Sequence, residues 1–137
     1  MKRLTLVFCL SLGLLSCKED DNLDPVAISS NELTAALTVA DGLIISEFIE
    51  EGVNETDSFL DYLFVFDADG TVSATKTGHS ISGTYRVFTD DGKTELMMTF
   101  PNSSELNELT DDWYFISKSD NTLKFDDRGD VLEFQQQ

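Results

Sequence analysis

Cys17 is the residue in this sequence best placed to do chemistry. It follows Leu14-Leu15-Ser16 directly and precedes Lys18-Glu19-Asp20-Asp21. A thiol in that position, after a small residue that closes an apolar run, can take a diacylglyceryl group and become the first residue after cleavage. The other reactive side chains have less to work with. His79, the only histidine, lies in Gly78-His79-Ser80, and a Ser-His-Asp site would have to recruit its partners from distant segments with nothing to mark them. No Gly-x-Ser-x-Gly elbow is present. One histidine and no spare cysteine cannot build an ordinary zinc site. Asp67-Ala68-Asp69-Gly70 begins like a calcium loop, but Thr71 and Gly78 stand where that loop needs an acid or asparagine and a glutamate. With 26 acidic residues, pairs of carboxylates are too common to point to glycoside hydrolysis. The expectation is a protein that is not an enzyme and carries neither metal nor cofactor.

The segment ahead of Cys17 has a basic start at Lys2 and Arg3 and an apolar run from Leu4 to Leu15. That run of 12 residues is too short for a helix spanning a hydrocarbon core, which needs roughly 20. The whole is similar to a bacterial lipoprotein signal. Lys18, Glu19, Asp20 and Asp21 resemble the export signal of Bacteroidota surface lipoproteins, in which a lysine followed by acids directs the protein to the outer face of the outer membrane. The plainer alternative is an acidic tether that extends by self-repulsion. Residues 1–16 are therefore expected to be a signal peptide, 17–29 an acidic tether and 30–137 a single β domain. The expected address is the outer membrane, lipid-anchored at Cys17 and exposed at the cell surface. Two or more acyl chains hold such an anchor, at about 0.8 kcal/mol per buried CH₂.

Removing residues 1–16 takes away Lys2 and Arg3 and no acid, so the formal charge moves from −17 to −19. A field of that sign repels nucleic acid and anionic headgroups, and neither is an expected partner. The acids are spread along the chain, as on a solvated surface. Cys9 leaves with the signal and Cys17 is acylated, so no disulfide is available and packing alone must hold the domain.

Ser29 and Glu32 form a candidate capping box, with Leu33, Ala36, Leu37 and Ala40 at helical spacing up to Gly42. The period then changes to two. Eight strands are expected, over 43–51, 59–67, 71–77, 80–89, 94–100, 113–119, 122–126 and 131–135. Asp69-Gly70, Asp91-Gly92 and Arg128-Gly129 supply tight turns. Arg128-Gly129-Asp130 also spells an adhesive tripeptide, but a two-strand turn uses the same residues. Alternation puts Tyr62, Phe64 and Phe66 on one face, followed by Ile81, Gly83, Tyr85 and Val87, then Leu96, Met98 and Phe100, then Trp113 and Phe115. A single helical turn from Asn102 through Leu109 is expected between strands.

The fold class that follows is all-β: an antiparallel up-and-down meander of about eight strands, closed as a small barrel, with a short N-terminal helix. The segments 62–72, 83–85 and 105–113 resemble the small lipocalin-like lipoproteins of the Bacteroidota over about residues 43–134. Leu43 and Tyr85 stand where that pattern often carries tryptophan. The resemblance brings no catalytic residue. It implies a non-catalytic binding or accessory module, with a surface protein, a glycan or a small apolar ligand as the candidate partner. The alternatives are a carrier holding an apolar ligand in a cavity, for which Tyr62, Phe64, Tyr85 and Trp113 are the candidate ligand-binding residues, or a structural lipoprotein with a packed core. The aromatic load inside so small a barrel favours a filled interior with only a shallow mouth.

Overall fold

The computed structural model describes residues 27–137. The expected signal peptide, Cys17, Lys18, Glu19, Asp20, Asp21 and most of the tether lie outside the described residues. Helix α1 spans Ser30–Leu37 and opens on the expected capping box. The Ser29 hydroxyl accepts from the Glu32 N–H at 3.2 Å, and the Glu32 carboxylate accepts from the Ser29 N–H at 2.9 Å. The helix ends at Leu37 and does not reach Ala40. Thr38 caps it through the Thr34 carbonyl, and the β-branched Thr38 and Val39 do not favour another turn. Leu33 and Leu37 are fully buried.

The strands are β1 (Leu43–Glu50), β2 (Val53–Asn54), β3 (Leu63–Phe66), β4 (Thr71–Lys76), β5 (His79–Asp90), β6 (Lys93–Thr99), β7 (Asp111–Lys118), β8 (Thr122–Asp127) and β9 (Asp130–Gln136). Every pairing is antiparallel, and β1 pairs with β9. Eight strands, β1 and β3 to β9, thus close an up-and-down barrel of lipocalin-like type, with β2 folded back on β1 as a short extra strand. Closure removes the unpaired edges that an open sheet of this size would present.

Two departures from the expected strands have local causes. The strand expected over 59–67 begins only at Leu63, because Thr56–Phe59 forms a 3₁₀ turn and the Tyr62 N–H closes a further turn on the Phe59 carbonyl. Both rings point inward from that turn, so the inward set continues smoothly into Phe64 and Phe66 and imitates a longer strand. The strand expected to run to Glu51 stops at Glu50. Glu51 and Gly52 have φ of 48° and 78° and form a two-residue hairpin, a conformation glutamate seldom supplies. Asp91-Gly92 and Arg128-Gly129 make the same kind of turn, as expected. The β1–β3 seam is held by one residue pair, Leu43 with Phe64, and the main partner of β1 is β9.

Helix α1 lies over the end of the barrel where β1 begins. The opposite end is covered by Thr56–Phe59 and by a second 3₁₀ turn, Glu105–Leu109, which bury Phe59, Leu106 and Leu109. Between them the interior is aromatic. Phe134 meets Phe64, Phe66 and Phe125 edge-on at ring separations of 5.5, 5.6 and 6.3 Å, and Phe66 meets Tyr85 at 5.0 Å. Such pairs contribute about 0.5–1.5 kcal/mol each beyond their buried area. Gly83 makes room for this packing: a Cβ there would lie 2.5 Å from the Thr99 carbonyl oxygen and 2.8 Å from the Phe100 ring.

Candidate functional surfaces

The four residues expected to line a ligand cavity are all part of the packed core. Phe64 is enclosed by other rings. The Tyr85 hydroxyl donates to the Asp67 carbonyl at 2.7 Å, and the Trp113 indole N–H donates to the Leu109 carbonyl at 3.0 Å. The Tyr62 hydroxyl donates to the Glu105 carboxylate. Each polar handle is therefore spent on the fold, which is what buried Tyr and Trp require. Among the described residues no buried side-chain oxygen or nitrogen is left without a partner, so the interior offers a ligand no orphaned polar group to recognise it by.

Two grooves lie at the two ends of the barrel, outside its interior. One of about 510 Å³ runs between α1 and the rim of the barrel, along Ile28, Glu32, Ala36, Phe115 and Lys118. A second, of about 430 Å³, lies at the opposite end between the start of β5 and the 101–105 segment, and contains His79, Ser80, Ser82, Ser104 and Glu105. Both are open grooves within the size range of ligand sites. Along the second groove the Lys76 ammonium sits 2.7 Å from Glu105 and 4.6 Å from the centroid of the Tyr62 ring. Hydrogen bonds from Lys76 and then Tyr62 hold the Glu105 carboxyl below its ordinary pKa. Burial, followed by the Glu105 bond, raises that of the Tyr62 phenol. The trio fastens the Glu105–Leu109 turn to the wall of the barrel. His79, the exposed first residue of β5, lines the groove, and among the described residues no serine or carboxylate is hydrogen-bonded to it as a nucleophile–base pair would be.

The end away from α1 is strongly acidic. Glu50 at the end of β1, Glu55 ahead of the first 3₁₀ turn and Glu108 in the second bring their carboxylates within 4.8 Å of one another. Burial, then the neighbouring Glu55, raises the pKa of Glu50, with Asp130, Glu51 and Asp111 adding to it. Burial, then Glu55 and Glu50, raises that of Glu108. This set is the one among the described residues spaced to hold a cation, and sequence reasoning missed it because its members come from three separate elements. The Arg128-Gly129-Asp130 turn projects from the same end, with Arg128 paired to Asp127 at 3.2 Å and Asp130 accepting from the Glu51 N–H at 2.9 Å. The Asp67 to Gly70 segment is a hairpin turn in which Asp69 accepts from the Thr71 N–H and hydroxyl.

On the outer wall, β5, β6 and β7 align Phe88, Glu95 and Tyr114 in one cross-strand row. Arg86 sits over Phe88 at 4.5 Å and Lys93 over Tyr114 at 5.2 Å. Glu95 belongs to the outward set of β6, yet only 4% of it is exposed. None of these residues carried a signal in the sequence, because the row exists only once the register of three strands is fixed. Comparison with protein-family models, with curated proteins and with solved structures gave no match.

Proposed function

We propose that this chain is an outer-membrane lipoprotein of the Bacteroidota surface type, anchored through Cys17, exposed at the cell surface and acting as a non-catalytic binding or accessory module. The observation that carries the reading is the run Leu14-Leu15-Ser16-Cys17-Lys18-Glu19-Asp20-Asp21, in which an acylatable thiol and an acidic export tetrad adjoin. The direction of the chain supports it. The described residues begin at Ala27 beside α1, so a tether from Cys17 would join the domain at the helix end of the barrel, opposite the acidic end.

The filled interior favours recognition on the outer surface over transport of a small apolar ligand in a cavity, and no catalytic step is proposed. Replacing Lys18, Glu19, Asp20 and Asp21 together by alanine tests the display. The variant should keep its lipid but resist protease added to intact cells, which should shave the wild type. Equal shaving of both would leave the tetrad as a plain tether.

A further inference from the structure

Where neighbouring strands differ in length, even a closed barrel keeps a stretch of unpaired edge, and such an edge is a template for another strand. β5 outruns β6 in this way. Its ladder with β4 runs from His79 to Thr84, but its ladder with β6 begins only where Thr84 meets Thr99. Backbone groups in an antiparallel ladder point alternately to the two sides. The Tyr85 N–H turns to the Gly70 carbonyl on the β4 side and Thr84 faces Thr99, so Ser82 and Ser80 turn their backbone groups toward the side that β6 has left. Each offers an N–H and a C=O, and the two residues lie about 7 Å apart along the strand.

The residues after β6 explain why it stops. The register would set Pro101 opposite Ser82, and proline has no N–H to donate. Its carbonyl accepts instead from the Ser104 N–H at 2.9 Å and the Ser104 hydroxyl at 2.7 Å, while the Phe100 N–H turns to the Thr110 hydroxyl. Among the described residues no hydrogen bond from the 100–105 segment reaches the backbone of Ser80 or Ser82. The space left beside the edge is the groove of about 430 Å³, which His79, Ser80, Ile81 and Ser82 line together with Pro101 and Glu105. Ser80 and Ser82 are exposed, so the edge is open to an incoming chain.

We infer that the free edge of β5 adds an extended basic peptide segment of a partner protein as a further strand, antiparallel to β5, in the place that β6 vacates. In this mode of recognition main-chain hydrogen bonds hold the peptide and alternate side chains select it. The residue opposite Ile81 shares the inward face, beside Ile81 and Pro101, and is apolar. Those opposite Ser80 and Ser82 face outward, where threonine suits a serine neighbour. A basic residue next in line meets Glu105, whose Oε1 takes both Lys76 and Tyr62 and whose Oε2 takes neither. The formal charge of −17 favours the same sign of partner. The inference deepens the binding-module reading and rests on it. Its test reads binding on purified protein, so failure of surface display and failure of strand addition are separate results.

The probe is the peptide acetyl-Lys-Thr-Val-Thr-Lys-amide, titrated into the ¹⁵N-labelled full chain in non-ionic detergent. The Ser80 and Ser82 amide signals should shift saturably with a Kd of roughly millimolar. At ten times Kd their hydrogen exchange should slow about tenfold, while Ile81, which faces β4, keeps its rate. Methylating the backbone nitrogens of both threonines, which face β5 in the added strand, should weaken binding at least about tenfold. Methylating that of the valine, which points away, should change it less than about twofold. Exchanging both lysines for glutamate should also cost about tenfold or more. Ser82→Pro removes an N–H that no strand uses, so it should abolish binding and leave Trp113 emission unchanged. Unchanged exchange at Ser80 and Ser82, equal losses from the two methylated peptides, or equal binding of the glutamate peptide would overturn the proposal. So would saturable shifts with cellotriose and none with peptide, or protection of the two serines that grows with protein concentration alone, which would assign the edge to a glycan or to a second copy of the chain.

Discussion

Removing the ring of Phe134 tests whether the barrel is filled or hollow. Phe134 is fully buried at the centre of the interior, with Phe64, Phe66 and Phe125 packed edge-on against it. In a tightly packed core a Phe→Ala change costs about 3–5 kcal/mol, from lost transfer energy and from the cavity left behind. Three aromatic partners and a closed, hydrogen-bonded wall limit how far the site can collapse, so the expected loss is about 4–5 kcal/mol. A domain of this size has a total stability of about 5–15 kcal/mol, so the variant should fold but marginally. Urea unfolding followed by Trp113 emission is the assay. Trp113 is the only tryptophan, it is buried, and its indole is hydrogen-bonded to Leu109, so its emission reports on the core. With a urea dependence of about 2 kcal/mol per molar, the midpoint should fall by roughly 2 M. Phe134→Leu, which keeps most of the volume, should cost only about 1–2 kcal/mol. A loss under about 1.5 kcal/mol for Phe134→Ala would mean that space already exists beside the ring, and would restore the carrier reading.

Three further outcomes follow from the same structure. Gly83→Ala should lower stability by about 1–3 kcal/mol, because the new methyl meets the backbone oxygen of Thr99 and the Phe100 ring, and calorimetry should show Tm falling by at least about 4 °C; an unchanged Tm would refute the close approach. The raised pKa values of Glu50 and Glu108 mean that burying their charged forms, and then the repulsion among the neighbouring carboxylates, weakens the fold at neutral pH, a cost relieved as pH falls through those values. Tm should therefore rise between pH 7 and about pH 5, then drop further into acid as Glu32, Asp69 and Glu105, whose hydrogen bonds hold their pKa values low, become protonated. Glu50→Gln should raise Tm at pH 7 and flatten the rise, and a Tm that only falls on acidification would contradict the placement of the cluster. Cys17→Ser should abolish incorporation of radiolabelled palmitate and leave a longer precursor, while continued labelling would move the anchor elsewhere.

Most of the barrel was legible in the residues because it rests on short-range rules. Period-two alternation marked the inward sets of β5, β6 and β7, and Asp91-Gly92 and Arg128-Gly129 marked hairpins whose positive φ glycine tolerates. The capping box at Ser29 and Glu32 is likewise a contact between residues three apart. What misled was local geometry that mimics another kind. Phe59 and Tyr62 point inward from 3₁₀ turns, and Glu51 takes a positive φ because the return of β2 onto β1 requires it.

By itself the sequence determined the class of fold, the acidic surface and the aromatic character of the interior, since each depends on residue type and spacing of a few positions. The tertiary structure decided everything that depends on register and closure. Only the pairing of β1 with β9 makes a barrel of the meander. Only the β5–β6–β7 register sets Glu95 between Phe88 and Tyr114, and only the covering of the far end by two 3₁₀ turns brings Glu50, Glu55 and Glu108 together. Those contacts join residues far apart in the chain, and because side chains alternate faces, a one-residue slip in any strand would turn its Glu95 or its Phe134 to the other side of the wall.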